Sequence, residues 1–304
     1  MMDMETTPTL KRAYGTKSPQ TSRFTEPSMV RWSIITVSTC FILAFVFAPL
    51  ALVFVKAFEK GAEAYYSAVS DPDALSAIKL TLMTAAISVF ANLLFGLAAS
   101  WSIAKFAFKG KNLLTTLIDL PFTVSPVISG MVFVLLLGRQ GWFGGWLDAR
   151  DIKIIYAPAG IILSTIFVTF PFIARELIPV MQLKGNEEEQ AALVLGASGW
   201  KIFFRITLPN IKWALIYGII LCNARAMGEF GAVSVVSGHI RGATNTIPLQ
   251  VEILYNEYHM SAAFSVASLL TFLAVITLVI KKFAERKLQE EKTSSKILSM
   301  GENI

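Results

Sequence analysis

The chain has 304 residues, of which 54% are hydrophobic and only 16% are charged, and its net charge is +6. Soluble domains usually carry about 25% charged residues, so this composition, with its long uncharged runs, predicts a membrane protein with several spans. The lysines and arginines lie in loops and tails rather than in a basic domain, which argues against nucleic acid as a partner. Cys40 and Cys222 lie inside apolar runs and predict no disulfide framework.

Five runs of 19 to 25 residues carry no charge, and helices of that length cross the roughly 30 Å of a bilayer core. They are residues 32–55, 80–104, 120–138 (with a helix expected to begin near 113), 154–174 and 260–280. A sixth span is weaker, because only twelve uncharged residues precede Arg225 and Glu229. We predict one helix over about 211–236 that holds both charges, and therefore an all-α integral membrane protein with six transmembrane helices.

The connections between the spans predict the orientation of the chain, because lysine and arginine are retained on the cytoplasmic side. With a cytoplasmic N-terminus, 19 of these residues lie inside and seven outside, and Arg225 lies in the membrane. Both termini are therefore expected in the cytoplasm. The predicted organisation is a disordered N-terminal tail over 1–31, a six-helix transmembrane domain over 32–282 and a cytoplasmic tail over 283–304.

The third span carries Pro121, Pro126 and Gly130, which would allow a bent helix beside a transport pathway. Asp119 precedes them near the cytoplasmic entry of the span. Two interpretations of Asp119 remain open, a carboxylate at a helix start or a partner in an inner gate.

The longest charged loop, 184–209, contains the segment QAALVLGASGWKIFFRITLP. Asn186 is a candidate N-cap, and three glutamates follow it in the first turn, where the helix dipole favours anions. Gly196 is expected to end this helix, and Ser198 to cap a second short helix that Pro209 stops or kinks. Two short helices across the cytoplasmic surface would suit the docking of a soluble partner. The alternative is an ordinary amphipathic loop.

This loop resembles the signature of the permease subunits of bacterial ABC importers, which is Glu-Ala-Ala, a Gly and then Ile-x-Leu-Pro. The matching residues are Ala191, Ala192, Gly196, Ile206, Leu208 and Pro209. Gln190 stands where the family usually has Glu, and Glu189 immediately precedes it. The resemblance implies the type I ABC importer permease fold, with these eight residues in a coupling loop that sits in a cleft of the ATPase subunit.

The chain has no phosphate-binding loop of its own, since Gly110-Lys111 is followed by Asn112 and lacks the upstream glycine of that motif. The resemblance therefore implies that ATP and magnesium are bound by separate ATPase subunits. The chain itself is expected to hold no cofactor and to catalyse no reaction.

The fifth span holds a second group of candidate site residues. Arg225 and Glu229 are four residues apart, so they are expected to share a helix face. Ionisable groups at membrane depth normally face a bundle interior or a wet cavity, and Gly228 and Gly231 allow another helix to approach closely. The pair could line the translocation pathway as part of a gate, or it could be a neutralised pair that fixes helix packing.

The segments ARAMGEFGAVSVVSGHIRG (224–242) and TNTIPLQVEILYNEY (244–258) resemble permeases for sulfate and related tetrahedral oxyanions. Among these they are most similar to the second of the two paired sulfate/thiosulfate permease subunits. The resemblance implies import of sulfate or thiosulfate across the bacterial inner membrane. It also implies a heterodimer with a sister permease, two ATPase subunits and an external sulfate-binding protein.

Two other transport classes remain alternatives. A molybdate or tungstate permease would share the Arg-Ala-x-Gly-Glu-Phe-Gly core of the fifth span. An ion-coupled secondary transporter would need several intramembrane carboxylates and an inverted repeat, whereas only Asp119 and Glu229 qualify and no repeat is evident. His239 and His259 are isolated, so neither a metal site nor an intramembrane enzyme is predicted.

Overall fold

A computed structural model describes residues 28–301 of the chain, and their side chains as far as residue 287. Within that part the chain is helical with no strand, as the all-α prediction requires. It divides after Pro49 into two compact units, 1–49 and 50–304, each of which is described by itself. Most of the tail predicted at 1–31 lies outside the described residues, which begin with a helix at Ser28.

The described part of the first unit is one helical run. Helix α1 spans Ser28–Ile42, a π-helical segment follows over Leu43–Phe47, and α2 (Ala48–Ala57) begins where the unit ends. The rings of Phe41 and Phe45 stack with their centroids 4.5 Å apart. The whole run of 30 residues, Ser28–Ala57, is long and apolar enough to cross a membrane, which agrees with the predicted first span.

The described part of the second unit contains long helices joined by short ones. They are α3 (Ala62–Val69), α4 (Pro72–Lys105), α5 (Lys111–Thr123), α6 (Pro126–Leu137), α7 (Gly144–Asp148), α8 (Pro158–Lys184), α9 (Glu187–Val194), α10 (Gly199–Ile202), a π turn (Phe203–Thr207), α11 (Leu208–Met227), α12 (Gly231–Val236), α13 (Ile247–Asn256) and α14 (Met260–Gly301). Across the residues described, five helical runs could span a membrane, and the bent pair α5–α6 makes six if it counts as one span. The prediction of six spans agrees with the higher count.

Helix α8 is the centre of the second unit and packs against α4 and α11. Its interface with α4 is built from small and polar side chains, which let two helix backbones approach closely. The amide nitrogen of Asn92 donates to Thr169 Oγ1 at 2.8 Å and to the carbonyl of Ile166 at 3.2 Å. A Cβ on Gly96 would lie 3.1 Å from the side chain of Ile173, so this crossing leaves little space for a larger residue.

The third span is bent, as its prolines predicted. Helices α5 and α6 meet at an angle of 107°, with Val124 and Ser125 between them. Pro126 is at the start of α6, and proline disfavours the helical conformation of the residue before it. Asp119 lies in the middle of α5 rather than in its first turn, so its interpretation as a helix-start carboxylate is wrong.

The fifth span differs most from its prediction, because the single helix expected over 211–236 is interrupted. One continuous helical run, Gly199–Met227, includes α10, the π turn and α11, and it stops before Glu229. The short α12 follows the interruption. Pro209 does not stop the second loop helix, because the helical run continues through it, and a π turn lies just before it.

The last helix is longer than its predicted span of 260–280. Helix α14 continues to Gly301, so the tail predicted at 283–304 begins inside a helix. Residues 302–304 of that tail lie outside the described part of the chain.

The bend of the third span fits directly against the interruption of the fifth. A Cβ built on Gly130 of α6 would lie 2.7 Å from the carbonyl oxygen of Ala232 in α12. One built on Gly231 would lie 3.0 Å from Cβ of Pro126. Since the first neighbour is backbone, it cannot rotate away as a side chain can, and glycine is required at position 130.

Substitution of Gly130 by Ala should therefore destabilise the protein. We expect a loss of about 1–3 kcal/mol, typical of an added methyl group in a closed contact. Thermal unfolding of the detergent-purified chain would measure it. The matched control is Gly145→Ala, where the new Cβ meets no atom within 4 Å. Equal melting temperatures for the two variants would contradict the close contact.

Candidate functional site

Glu189 joins the loop between α8 and α11 to the end of α4 and to the π turn before α11. Its Oε2 lies 2.9 Å from Lys105 Nζ, and its Oε1 accepts a 2.7 Å hydrogen bond from Thr207 Oγ1. Lys105 is the last residue of α4, and its ammonium group also donates to the carbonyl of Gly185. The charged side chains of the pair are only 8% and 18% exposed, so solvent screens their attraction weakly.

Gln190, the residue that departs from the family signature, is exposed to solvent. The negative charge that holds the loop is supplied one residue earlier, by Glu189. A second contact comes from Glu188, whose Oε2 accepts a hydrogen bond from the side-chain amide of Asn210 in α11. The Gln at position 190 therefore removes none of the charged contacts between the loop and the helices in this structure.

The helix ends within the loop follow the sequence prediction closely. Gly196 has φ +81°, the left-handed conformation expected where α9 ends, and its amide donates to the carbonyl of Leu193 at 3.0 Å. Asn186 and Ser198 occupy the predicted N-cap positions. Neither of these two side chains accepts a capping hydrogen bond in the structure as described.

The other residues of the family signature are divided between α9 and the start of α11. Ala191 is exposed and Ala192 half-buried in α9, Ile206 is half-buried in the π turn, and Leu208 and Pro209 begin α11. In the π turn the N–H of Leu208 donates to the carbonyl of Phe203, five residues back. The structure thus brings these residues into one loop, while their role in coupling stays a prediction.

The loop has an exposed apolar patch formed by Leu193, Val194, Leu195, Trp200 and Phe204. Val194 and Leu195 are each 87% exposed, and Trp200 is 75% exposed. The rings of Trp200 and Phe204 stack with centroids 6.0 Å apart. Unlike the apolar faces of the long spans, these residues belong to the charged connection between α8 and α11. Large apolar side chains exposed in a charged loop are typical of protein interaction sites.

Arg225 and Glu229 form an ion pair across the interruption of the fifth span. Arg225 Nη1 lies 2.5 Å from Glu229 Oε2, without the alignment of a hydrogen bond, and the other carboxylate oxygen accepts from the N–H of Ala232 at 2.9 Å. The expectation that both residues share one helix face is wrong, since Glu229 follows the end of α11. The carboxylate instead joins the end of α11 to the start of α12.

Burial of the pair favours a packing role but leaves the pathway interpretation open. The Glu229 side chain is 1% exposed, whereas Arg225 is 32% exposed. Gly228 is the C-cap of α11, and Gly231 begins α12 against Pro126 of the third span. These predicted residues therefore do lie together, at the junction of two interrupted spans.

Asp119, the remaining predicted site residue, pairs with Arg175 of α8. The distance from Arg175 Nε to Asp119 Oδ1 is 3.2 Å, and the guanidinium lies 4.9 Å from the ring centre of Phe122. The pair is about half exposed. It joins the second half of α5 to the second half of α8.

Sequence reasoning missed three partners at these sites, Lys105, Arg175 and Thr207. Lys105 and Arg175 each directly follow an uncharged run. In the sequence they count only toward the positive charge that predicts the cytoplasmic side. That position was a usable signal, because a basic residue at the end of a span can reach an acidic residue in the adjoining loop. Nothing in the sequence pairs Thr207 with Glu189.

The connections on the opposite side carry charged pairs of their own. His239 Nε2 lies 3.4 Å from Glu252 Oε2, and Arg241 contacts Glu257. These side chains are all more than a third exposed. The ion pairs contribute little stability at such exposure, but they present charge for a partner to contact.

Comparison with known proteins identifies the family. Residues 92–290, more than half of the chain, match the family described as "Binding-protein-dependent transport system inner membrane component". The chain belongs to this family. It is therefore a multi-pass inner membrane component of an ABC importer, a transport subunit rather than an enzyme. The resemblance drawn from the loop and the fifth span is confirmed.

Two relatives come from Escherichia coli (strain K12). The "Sulfate transport system permease protein CysW" is 48% identical over 262 residues, which cover 86% of this chain and 90% of that protein. The "Sulfate transport system permease protein CysT" is 32% identical over 241 residues, 79% of this chain and 87% of that protein. Both are similar over most of their own length and over most of this chain.

A solved structure confirms the ABC importer permease fold. The chain superposes with a TM-score of 0.70 on a bacterial ABC transporter involved in the import of the acidic polysaccharide alginate. The match has 19% sequence identity and covers 86% of this chain and 96% of that one. At this identity the likeness concerns the fold alone.

The ion pair at the interruption predicts a specific order of variant stabilities. Arg225→Met should destabilise the chain by about 3 kcal/mol, because it leaves the buried Glu229 carboxylate without its counter-charge. The double variant Arg225→Met, Glu229→Gln should be more stable than the single one, since Gln keeps an oxygen for the Ala232 N–H. Thermal unfolding in detergent would measure both.

The exposed pair Arg241–Glu257 provides the control for this comparison. Arg241→Met should change stability by less than about 1 kcal/mol. A double variant no more stable than Arg225→Met would contradict the compensating pair.

Proposed function

We propose that the chain is a permease subunit that imports sulfate and thiosulfate into the cytoplasm at the expense of ATP. The main support is the 48% identity with the CysW protein over 262 residues. That protein is described as part of a sulfate transport system. The segments 224–242 and 244–258, which carry the resemblance to sulfate permeases, lie at the interrupted fifth span and the connection that follows it.

The working complex contains several other subunits. Since the chain is similar to both CysW and CysT, which are separate permease proteins of a sulfate transport system, we assign it a sister permease as its partner in a heterodimer. Two ATPase subunits bind ATP and magnesium, and an external sulfate-binding protein delivers the anion. The exposed charges around Glu252 and Glu257 suit contact with that binding protein.

The loop is the docking site for the ATPase subunit. Its signature residues lie in α9 and at the start of α11, on either side of the left-handed Gly196, and the exposed apolar side chains near them are open to a partner. When ATP closes the ATPase dimer, the docked loop is displaced and the ends of the spans follow. The spans then open outward to receive the anion, a rigid-body change of the kind common in transporters.

The interrupted spans form the mobile part of the pathway. Gly228, Glu229 and Gly231 lie where the fifth span breaks, and Arg225 is exposed enough to reach an anion or a facing subunit. Asp119 and Arg175 form a second pair at another level of the bundle. Interrupted helices are tolerated in a membrane where they line a cavity, which supports a pathway beside both pairs.

Uptake of labelled sulfate by cells that lack this chain, with and without its re-expression, tests the substrate. We expect uptake to be restored, and to be suppressed by unlabelled thiosulfate but not by molybdate. Suppression by molybdate alone would favour a molybdate or tungstate permease. Uptake that stops when the membrane potential collapses while ATP persists would indicate an ion-coupled transporter.

The docking role of the loop is tested by Gly196→Asp. The new side chain meets no atom within 4 Å, but it must adopt φ +81°, which costs a non-glycine residue about 1 kcal/mol, and it adds a charge beside the apolar patch. We expect uptake to fall about tenfold or more, which corresponds to a loss of about 1.4 kcal/mol in the free energy of docking. The amount of protein in the membrane should not change. Immunoblots of membranes and co-purification of the ATPase subunit would separate these effects.

Gly110→Asp is the matched control, because Gly110 also has positive φ and open surroundings but lies in the connection between α4 and α5. This control should keep its uptake. Normal uptake by Gly196→Asp, or an equal loss in both variants, would refute the docking role.

A further inference from the structure

Lys105 occupies a junction that the family signature does not include. It ends α4, it contacts the carbonyl of Gly185 where α8 passes into the loop, and it pairs with Glu189 in α9. Thr207 of the π turn completes the arrangement by donating to the same carboxylate. The end of α4 is thus joined to the end of α8, to α9 and to the π turn through one ammonium group and one carboxylate.

The side chains of Lys105 and Thr207 at this junction have little contact with water. The Lys105 side chain is 8% exposed, and Thr207 is 2% exposed. The Glu189 carboxylate supplies a counter-charge to this ammonium group at 2.9 Å. Aromatic packing supports the same junction, since Trp101, one turn before Lys105 on α4, lies 5.3 Å from Phe203 of the π turn.

We propose that Lys105 is a positioning residue that transmits displacement of the loop to α4, through its contacts with Glu189 and Gly185. The loop, the end of α8 and the end of α4 then move as one body when the ATPase subunit moves the loop. Loop docking is part of the proposed function, and this inference rests on it. Without the Lys105 contact, the loop would still dock but would move without carrying α4.

The test measures coupling rather than activity alone. The full complex, with its sister permease, ATPase subunits and binding protein, is reconstituted in proteoliposomes, and sulfate uptake and ATP hydrolysis are measured together. Lys105→Met should lower the sulfate transported per ATP hydrolysed by about tenfold, within the range of coupling effects in other proteins. Hydrolysis itself should stay within about twofold of the unsubstituted complex.

Three variants make the result specific to the ion pair. Lys105→Arg keeps the cation and should restore most of the ratio, and Glu189→Gln, which keeps an oxygen for Thr207, should lower it as Lys105→Met does. Lys109→Met is the matched control, because Lys109 is an exposed lysine four residues further along the chain. Its ratio should not change. A normal ratio in Lys105→Met or Glu189→Gln, or an equal loss in Lys105→Arg, would overturn the proposal.

Hydrogen exchange separates this inference from the proposed function. In the purified chain, Lys105→Met should speed amide exchange in α9 (Glu187–Val194) by about tenfold relative to Lys109→Met, because it releases the loop. Unchanged exchange would overturn the junction whether or not the complex transports. If the unsubstituted complex transports no sulfate with ATP, the proposed function fails, and the exchange result still decides the role of Lys105 in holding the loop.

Discussion

In the hydrocarbon of a membrane, any backbone group that leaves a helix must find another partner within the protein. The constraint matters most where a span is interrupted, because backbone groups there lose their helical partners. At the interruption of the fifth span, a side-chain carboxylate is the partner of one such N–H. Glu229 accepts from the N–H of Ala232 at the start of α12 and faces the guanidinium of Arg225 at the end of α11. One buried side chain thus satisfies an N–H at the start of α12 and pairs with a cation near the end of α11.

The same constraint explains why the two irregular spans lie against each other. The bend after Val124 and the interruption after Met227 each leave a region without regular helical hydrogen bonds. Small residues let them pack together, with Gly130 against the backbone of Ala232 and Gly231 against Pro126. An irregular backbone packed on another is shielded from lipid, and it can still change its angle without breaking a long helix. The long helices α4 and α8 beside it supply the rigid frame.

The sequence predicted the class of protein, its spans and its family, because long uncharged runs and the loop signature are local features. The predictions from the sequence were wrong where they depended on the exact points at which helices begin and end. Pro209 looked like a helix stop, yet the helical run continues through it, with a π turn just before it. Arg225 and Glu229 had the spacing of a helical pair, yet the glycine between them ends the helix. The ion pair forms in either case, so spacing alone could not distinguish the two.

The loop illustrates a different limit, since its partners come from far along the chain. Glu189 and Lys105 are adjacent only after α4, α8 and the loop have assembled. The family signature usually has Glu at position 190, where this chain has Gln. In the structure, the residue before it, Glu189, forms the ion pair of the loop. The Glu189 carboxylate is partly buried, and Lys105 provides its counter-charge where α4 ends. The loop is therefore joined to the rest of the bundle by the same kind of contact as the interrupted span, one carboxylate beside one cation. Since the same lysine contacts Gly185 at the end of α8, and α8 packs against α6 and α12, the proposed displacement of the loop would reach the irregular spans through these helices.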